Sequence, residues 1–176
     1  MEQAAFKTFF YNKADQEQFN SIFIECSKSF GCNYMGYIYE DLASESRLGF
    51  NTNAKWQQEF IGQQLINNCH LWNTVCGYFI NSHTNQFILP WEYAKPKSSL
   101  EKEIALYRGE FGIGNNGISF CNRFSNSREF FFFAPGNDNK KFLQVILKNL
   151  SIIKQYLATF RKLSLESVTN NDIIKD

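Results

Sequence analysis

Cys69-His70 is the one place in this chain where a thiol and an imidazole are adjacent. A nucleophilic cysteine needs a base beside it. Neighbours along a chain seldom face each other productively, however, and no protease or transferase signature surrounds this pair. The reading is a helix-end cysteine and a solvent-facing histidine, with a small cysteine-dependent or acyl-transferring enzyme as the alternative and no catalytic residue assigned. The histidines are His70 and His83, without HxxE or HxH spacing, and Cys26, Cys32, Cys69, Cys76 and Cys121 form no CxxC pair. Neither a metal site nor a redox dithiol is expected, and no cofactor. GEFGIGNNG, from Gly109 to Gly117, holds phosphate-loop glycines but lacks the lysine and Ser/Thr that such a loop needs. It reads as a turn. Arg108, Arg123 and Arg128 would make an anion site only by converging; isolated beside glutamates, they read as surface pairs.

The remaining candidates are aromatic. Aromatic residues make up 17% of the 176, among them 19 Phe, so many rings must line the interior or a cavity within it. Tyr37, Tyr39, Trp56, Phe60, Trp72 and Trp91 are expected to share one side of a sheet and line any pocket there.

The elements that would position them follow from periodicity. Asp15 caps a helix to Phe30, whose Phe19, Ile22, Phe23 and Cys26 recur at three- and four-residue spacing, and Gly31 stops it. Asn33–Glu40 and Ser46–Phe50 read as strands joined by a polar hairpin. Asn53 caps a helix running to Cys69. Between His70 and Lys97 the pattern is weak: a short helix near Asn73–Ile80, then a strand near Gln86–Leu89 that Pro90 limits. Ser98 or Ser99 opens a helix through Gly109, and Gly112–Gly117 forms a mobile connection. Ile118–Phe124 pairs with Glu129–Ala134, whose four consecutive phenylalanines require cover on both faces. Pro135-Gly136-Asn137-Asp138 ends the sheet and caps a final helix from about Asn139 to Leu163.

This predicts one domain over 1–163 and a polar linker or tail over 164–176. The last helix, about 25 residues and 37 Å long, exceeds what one small sheet covers. Its stripe of Leu150, Ile153, Leu157 and Phe160 is therefore expected to be the interface of a homodimer. A formal charge of +1 without a basic block argues against direct nucleic-acid contact. The N-terminus lacks signal-peptide character, and no apolar run approaches the ~18 residues of a membrane span. A cytoplasmic location is expected.

Together, Trp56-Gln57-Gln58-Glu59-Phe60, the glycine-rich turn Gly112–Ser119 and the long closing helix resemble the N-terminal signal-binding domain of LuxR-type bacterial transcription regulators. The likeness runs from about Phe19 to Leu163. It implies an α/β fold, a PAS/GAF-like α-β-α sandwich with a central antiparallel sheet and a long C-terminal dimerisation helix. In that family Trp-x3-Tyr and a following Asp-Pro hold an acyl-homoserine lactone. Here Phe60 replaces the tyrosine and Cys69-His70 occupies the Asp-Pro position, which places Cys69 among the implied ligand-binding residues. The expected function is a signal-sensing regulatory domain that binds a small apolar ligand or a partner. A ligand-free dimerisation module is the other non-enzymatic reading.

Overall fold

The computed structural model describes residues 6–82, 84–135, 139 and 141–173, so His83 and the expected cap at Asn137-Asp138 lie outside the described residues. Six strands form one sheet: β1 (Lys7–Phe10), β2 (Cys32–Asp41), β3 (Ser46–Asn51), β4 (Gln86–Pro90), β5 (Ile118–Arg123) and β6 (Ser127–Pro135). Their order is β1-β3-β2-β6-β5-β4. Every neighbouring pair is antiparallel except β1 with β3. The six helices are α1 (Lys13–Phe30), α2 (Ala54–Gln57), α3 (His70–Asn81), α4 (Ser99–Glu110), α5 (Phe142–Lys148) and α6 (Leu150–Ile173).

They cover both faces of the sheet. On one face Phe130 and Phe132 of β6 meet Trp56, α3 and Ile104 of α4. On the other, Phe131 and Phe133 meet α1, α5 and α6. This is the α-β-α sandwich that the phenylalanine run demanded, since alternate side chains of a strand point to opposite faces. Each face also buries a carboxylate with cations. Glu40 binds Arg47 at 2.6 Å and also pairs with Arg128. Across the sheet Glu129 accepts from Tyr37 at 2.9 Å, Asn122 at 2.5 Å and Arg161 at 2.5 Å.

Local boundaries follow specific caps. The Asn12 side chain, not that of Asp15, caps α1, accepting from the Asp15 amide at 2.9 Å, and Gly31 ends the helix at φ 71°. Asn53 caps α2 as expected, accepting from the Trp56 amide at 3.0 Å. The helix beyond it is not continuous: a π turn over Gln58–Gly62 and left-handed Gln64 (φ 59°) precede a 3-10 turn over Leu65–Asn68. Ser98 and Glu101 close a capping box on α4.

The closing helix departs most from the sequence reading. It breaks at Asn149, whose side-chain amide donates to the Val145 carbonyl at 2.7 Å and so competes with the backbone ladder. Instead of stopping at Leu163, the helix continues to Ile173, with Ser164 fully buried and within 2.6 Å of the Tyr11 hydroxyl. Residues 164–173 are thus helix, not a loose linker. The expected interface stripe is core. Ile153, Leu157 and Phe160 are buried against the sheet and α1, and Leu150 packs at the edge of that cluster. Phe160 lies tilted 4.5 Å from Phe19 and edge to face 4.9 Å from Phe131, ring centre to ring centre. The stripe faces inward because α1 lies beside α6 on this face, giving it two surfaces to cover. Removing a buried Phe side chain costs about 3–5 kcal/mol, and burying an unpaired charge costs more. Leu157→Glu with Phe160→Glu is therefore expected to abolish cooperative unfolding by circular dichroism; a folded double variant that only changes its sedimentation would contradict the core assignment.

Candidate functional site

Helix α2, the π turn and the start of α3 bring together aromatic residues around one cavity. Trp56 and Phe60, four apart in sequence, stack with ring centres 5.1 Å apart and planes at 21°. Single π turns inside helices occur frequently at functional sites. Trp72 of α3 meets Phe130 at 4.4 Å. Trp91 is fixed from the sheet, donating from Nε1 to the Ser119 hydroxyl at 2.8 Å. Gly117 makes room for that indole, since a Cβ there would lie 2.5 Å from Trp91 and 2.6 Å from the Phe133 carbonyl oxygen. Among these residues lies a cavity of about 30 Å³, lined by Tyr34, Trp56, Phe60, Cys69, Leu71, Trp72, Trp91, Arg108 and Phe132. Larger clefts of about 330 and 390 Å³ lie elsewhere, lined in part by Glu92 and Asn116 and by Asn33, Thr52 and Lys55. Neither gathers tryptophans.

Of the residues expected at a pocket, the structure brings Trp56, Phe60, Cys69, Trp72 and Trp91 to this one cavity. Tyr37 and Tyr39 are corrected: both belong to the opposite core, beneath α1 and α6. On β2 the cavity side carries the even-numbered residues Tyr34 and Ile38, so an odd-numbered pair cannot reach it. Arg108, read from the sequence as a surface pair, is instead buried at this cavity. The signal was present: Glu101, Ile104 and Arg108 recur at i, i+3 and i+7 on α4, and all three are buried.

The polar groups here have unusual surroundings. Arg108 is 3% exposed. Its Nη2 donates to Asn115 at 2.7 Å, its guanidinium lies 5.0 Å from the Trp91 ring centre, and Nε and Nη1 have no partner. Arg123 and Arg128 do not converge on it; Arg123 donates to the Phe79 carbonyl at 3.0 Å and Arg128 pairs with Glu40. Burial pushes the Cys69 thiol above its ordinary range, against the opposing pull of Arg108, so it is protonated at neutral pH and is not an activated nucleophile. His70 is buried, correcting the solvent-facing expectation, and its Nδ1 has no partner. Burial, reinforced by the Arg108 charge, lowers its pKa from 6.5 to about 4. For Glu101, burial acts upward, but hydrogen bonds from Asn73 and the Lys97 and Ser98 amides outweigh it and hold the carboxyl below its ordinary value. Among the described residues no group of three His, Cys, Asp or Glu side chains is placed to hold a metal ion.

No protein-family model and no curated protein matches the chain. The solved structure of Escherichia coli SdiA superposes on it with a TM-score of 0.58 at 10% sequence identity, over 85% of this chain and 62% of that one. The chain has the SdiA fold. It spans less than two thirds of the SdiA chain. The N-acylhomoserine lactone dependent LuxR family transcription factor CepR2 from Burkholderia cenocepacia gives a TM-score of 0.48 at 8% identity, over 85% of this chain and 82% of that one. The SdiA likeness meets, at the level of fold, the resemblance carried by Trp56, the glycine-rich turn and the closing helix. Among the described residues no helix is long and apolar enough to cross a membrane.

His70 supplies a test of the site's electrostatics. Because its folded-state pKa is depressed, the unfolded chain binds a proton that the folded chain refuses, so stability is full above pH 6.5 and falls as pH drops towards 4. Urea titrations across that window are expected to show a declining unfolding free energy in the native sequence and a flatter profile in His70→Gln. An equal slope in both would show that His70 does not titrate as its burial requires.

Proposed function

We propose that this is a signal-sensing regulatory domain that binds a small, mainly apolar molecule between the sheet and the α2–α4 layer and acts in transcription regulation. The observation that supports this reading is the gathering of Trp56, Phe60, Trp72 and Trp91 around one small cavity in a fold shared with SdiA. Ligand sites are concave and mostly apolar, with few polar groups to fix orientation. The cavity of about 30 Å³ holds roughly one water molecule, so a ligand must displace the aromatic walls as it enters. Binding then favours an open arrangement over this closed one, and shifts the balance by as much as the ligand prefers it. The small volume also supports a second reading, a ligand-free module that works by association with another copy or a partner. Catalysis has less support, because burial keeps the Cys69 thiol protonated.

An acyl-homoserine lactone fits this cavity poorly. The resemblance places Cys69 where a carboxylate would accept the ligand amide proton, and a thiol is a weak substitute. Calorimetry is expected to show binding of such lactones no tighter than the millimolar range; micromolar affinity would overturn this. For an apolar compound that does bind, saturation at 100 times Kd should add about 2.7 kcal/mol of stability, and Trp56→Ala should remove most of that gain. Native mass spectra free of any co-purified molecule, together with no thermal shift from acyl, aromatic or lipid-like compounds, would favour the ligand-free module.

A further inference from the structure

We infer that the cavity's ligand carries a carboxylate on its apolar body and that Arg108 is the residue that binds it; this rests on the sensor reading above. The argument begins with what Arg108 lacks. A guanidinium has five N–H donors. In Arg108 the three on Nε and Nη1 have no well-formed hydrogen bond, the Cys69 thiol beside them being uncharged and a weak acceptor, while the side chain is 3% exposed. Among the described residues no carboxylate lies within 4.0 Å of its nitrogens. Buried cations are normally paired, since desolvation costs several kcal/mol per ion. This chain follows that rule elsewhere: Arg47 and Arg128 share Glu40, and Arg161 binds Glu129.

The groups around Arg108 do not neutralise it. Burial keeps the Cys69 thiol and the Tyr34 phenol protonated, and the His70 imidazole is neutral. Glu101 spends its oxygens on Asn73 and on the Lys97 and Ser98 amides. What surrounds Arg108 instead positions it. Asn115, on the loop between α4 and β5, holds Nη2, and the Trp91 face lies under the guanidinium. Trp91 is in turn anchored by Ser119. A planar cation held on two sides, unpaired on the rest and set in a wall of Trp56, Phe60 and Trp72 matches an anionic head group attached to an apolar or aromatic body. Arginine is the residue suited to planar recognition of carboxylates. An acidic residue at position 69 would instead select a ligand that donates a hydrogen bond.

The test uses octanoate and cinnamate, each against its methyl ester, by thermal shift and calorimetry on the native sequence, Arg108→Met and Cys69→Asp. At least one acid is expected to bind the native protein, with its ester weaker by about tenfold or more, the loss of a charge-assisted hydrogen bond. Arg108→Met should abolish the preference for acid over ester while raising the melting temperature of the empty protein, because it removes an unpaired buried charge. Cys69→Asp gives Arg108 an internal carboxylate and should also stabilise the empty protein while weakening acid binding. A lower melting temperature for Arg108→Met without ligand would mean that the guanidinium serves the fold, and would overturn the inference. Equal binding of ester and acid would overturn it while leaving the sensor reading intact. If neither acids, esters nor the other apolar compounds bind, both fall together.

Discussion

Nine residue pairs join β2 to β6, and both cores hang from that ladder. Phe130 and Phe132 face one helical layer while Phe131 and Phe133 face the other, so a single stretch of backbone separates the tryptophan-lined cavity from the closing helix. Antiparallel pairing on both flanks, with β2 on one side and β5 on the other, satisfies the amides and carbonyls that such a fully buried strand cannot expose to water. The glycines nearby serve the same close packing. Gly49 leaves space for the Ile61 side chain, which a Cβ would meet at 2.3 Å, and Gly117 leaves space for Trp91.

The arginines divide the molecule into parts that are complete and one that is not. Arg47, lying over Trp72, and Arg128 flank Glu40, and Arg161 reaches from α6 to Glu129, so Glu40 and Glu129 have their counter-ions within the chain. These clusters are internal to the fold and need nothing from outside. The cavity side of α4 differs, with a cation in place and its acceptor missing. A protein with marginal stability tolerates such a group where the site serves something other than stability.

Elements with strong local signals were legible in the sequence. Gly31, Asn53 and the Ser98-Ser99 pair mark their boundaries by backbone chemistry that neighbours do not alter, and the double-faced Phe130–Phe133 strand announced the sandwich. What depends on distant partners was not. β1 is a four-residue edge strand, too short for periodicity to register. The continuous helix expected after Asn53 yields to a π turn, where Ile61 packs over Gly49 of β3, a tertiary contact that local periodicity does not show. Aromatic content and a family-like motif singled out Trp56, Phe60, Cys69, Trp72 and Trp91, which the fold gathers around one cavity. Tyr37 and Tyr39 were misplaced because choosing a strand's face needs its register, and Arg108 was assigned to the surface because a lone arginine looks like surface until its helix is turned. The stripe on α6 was recognised as apolar, but what it would cover depended on α1, far away in sequence.

Glu40 and Glu129 lie towards the same end of the β2–β6 ladder, where Tyr39 pairs with Glu129 and Glu40 with Arg128. A slip of two residues between these strands would keep every side chain on its proper face, so inside–outside alternation alone does not forbid it. The carboxylates do. A shifted ladder would draw Glu40 from between Arg47 and Arg128, or Glu129 from Arg161 and Asn122, and leave a bare charge against phenylalanine. The two ion clusters therefore act as a pair of stops, one on each face, that let an otherwise repetitive aromatic strand close in a single alignment.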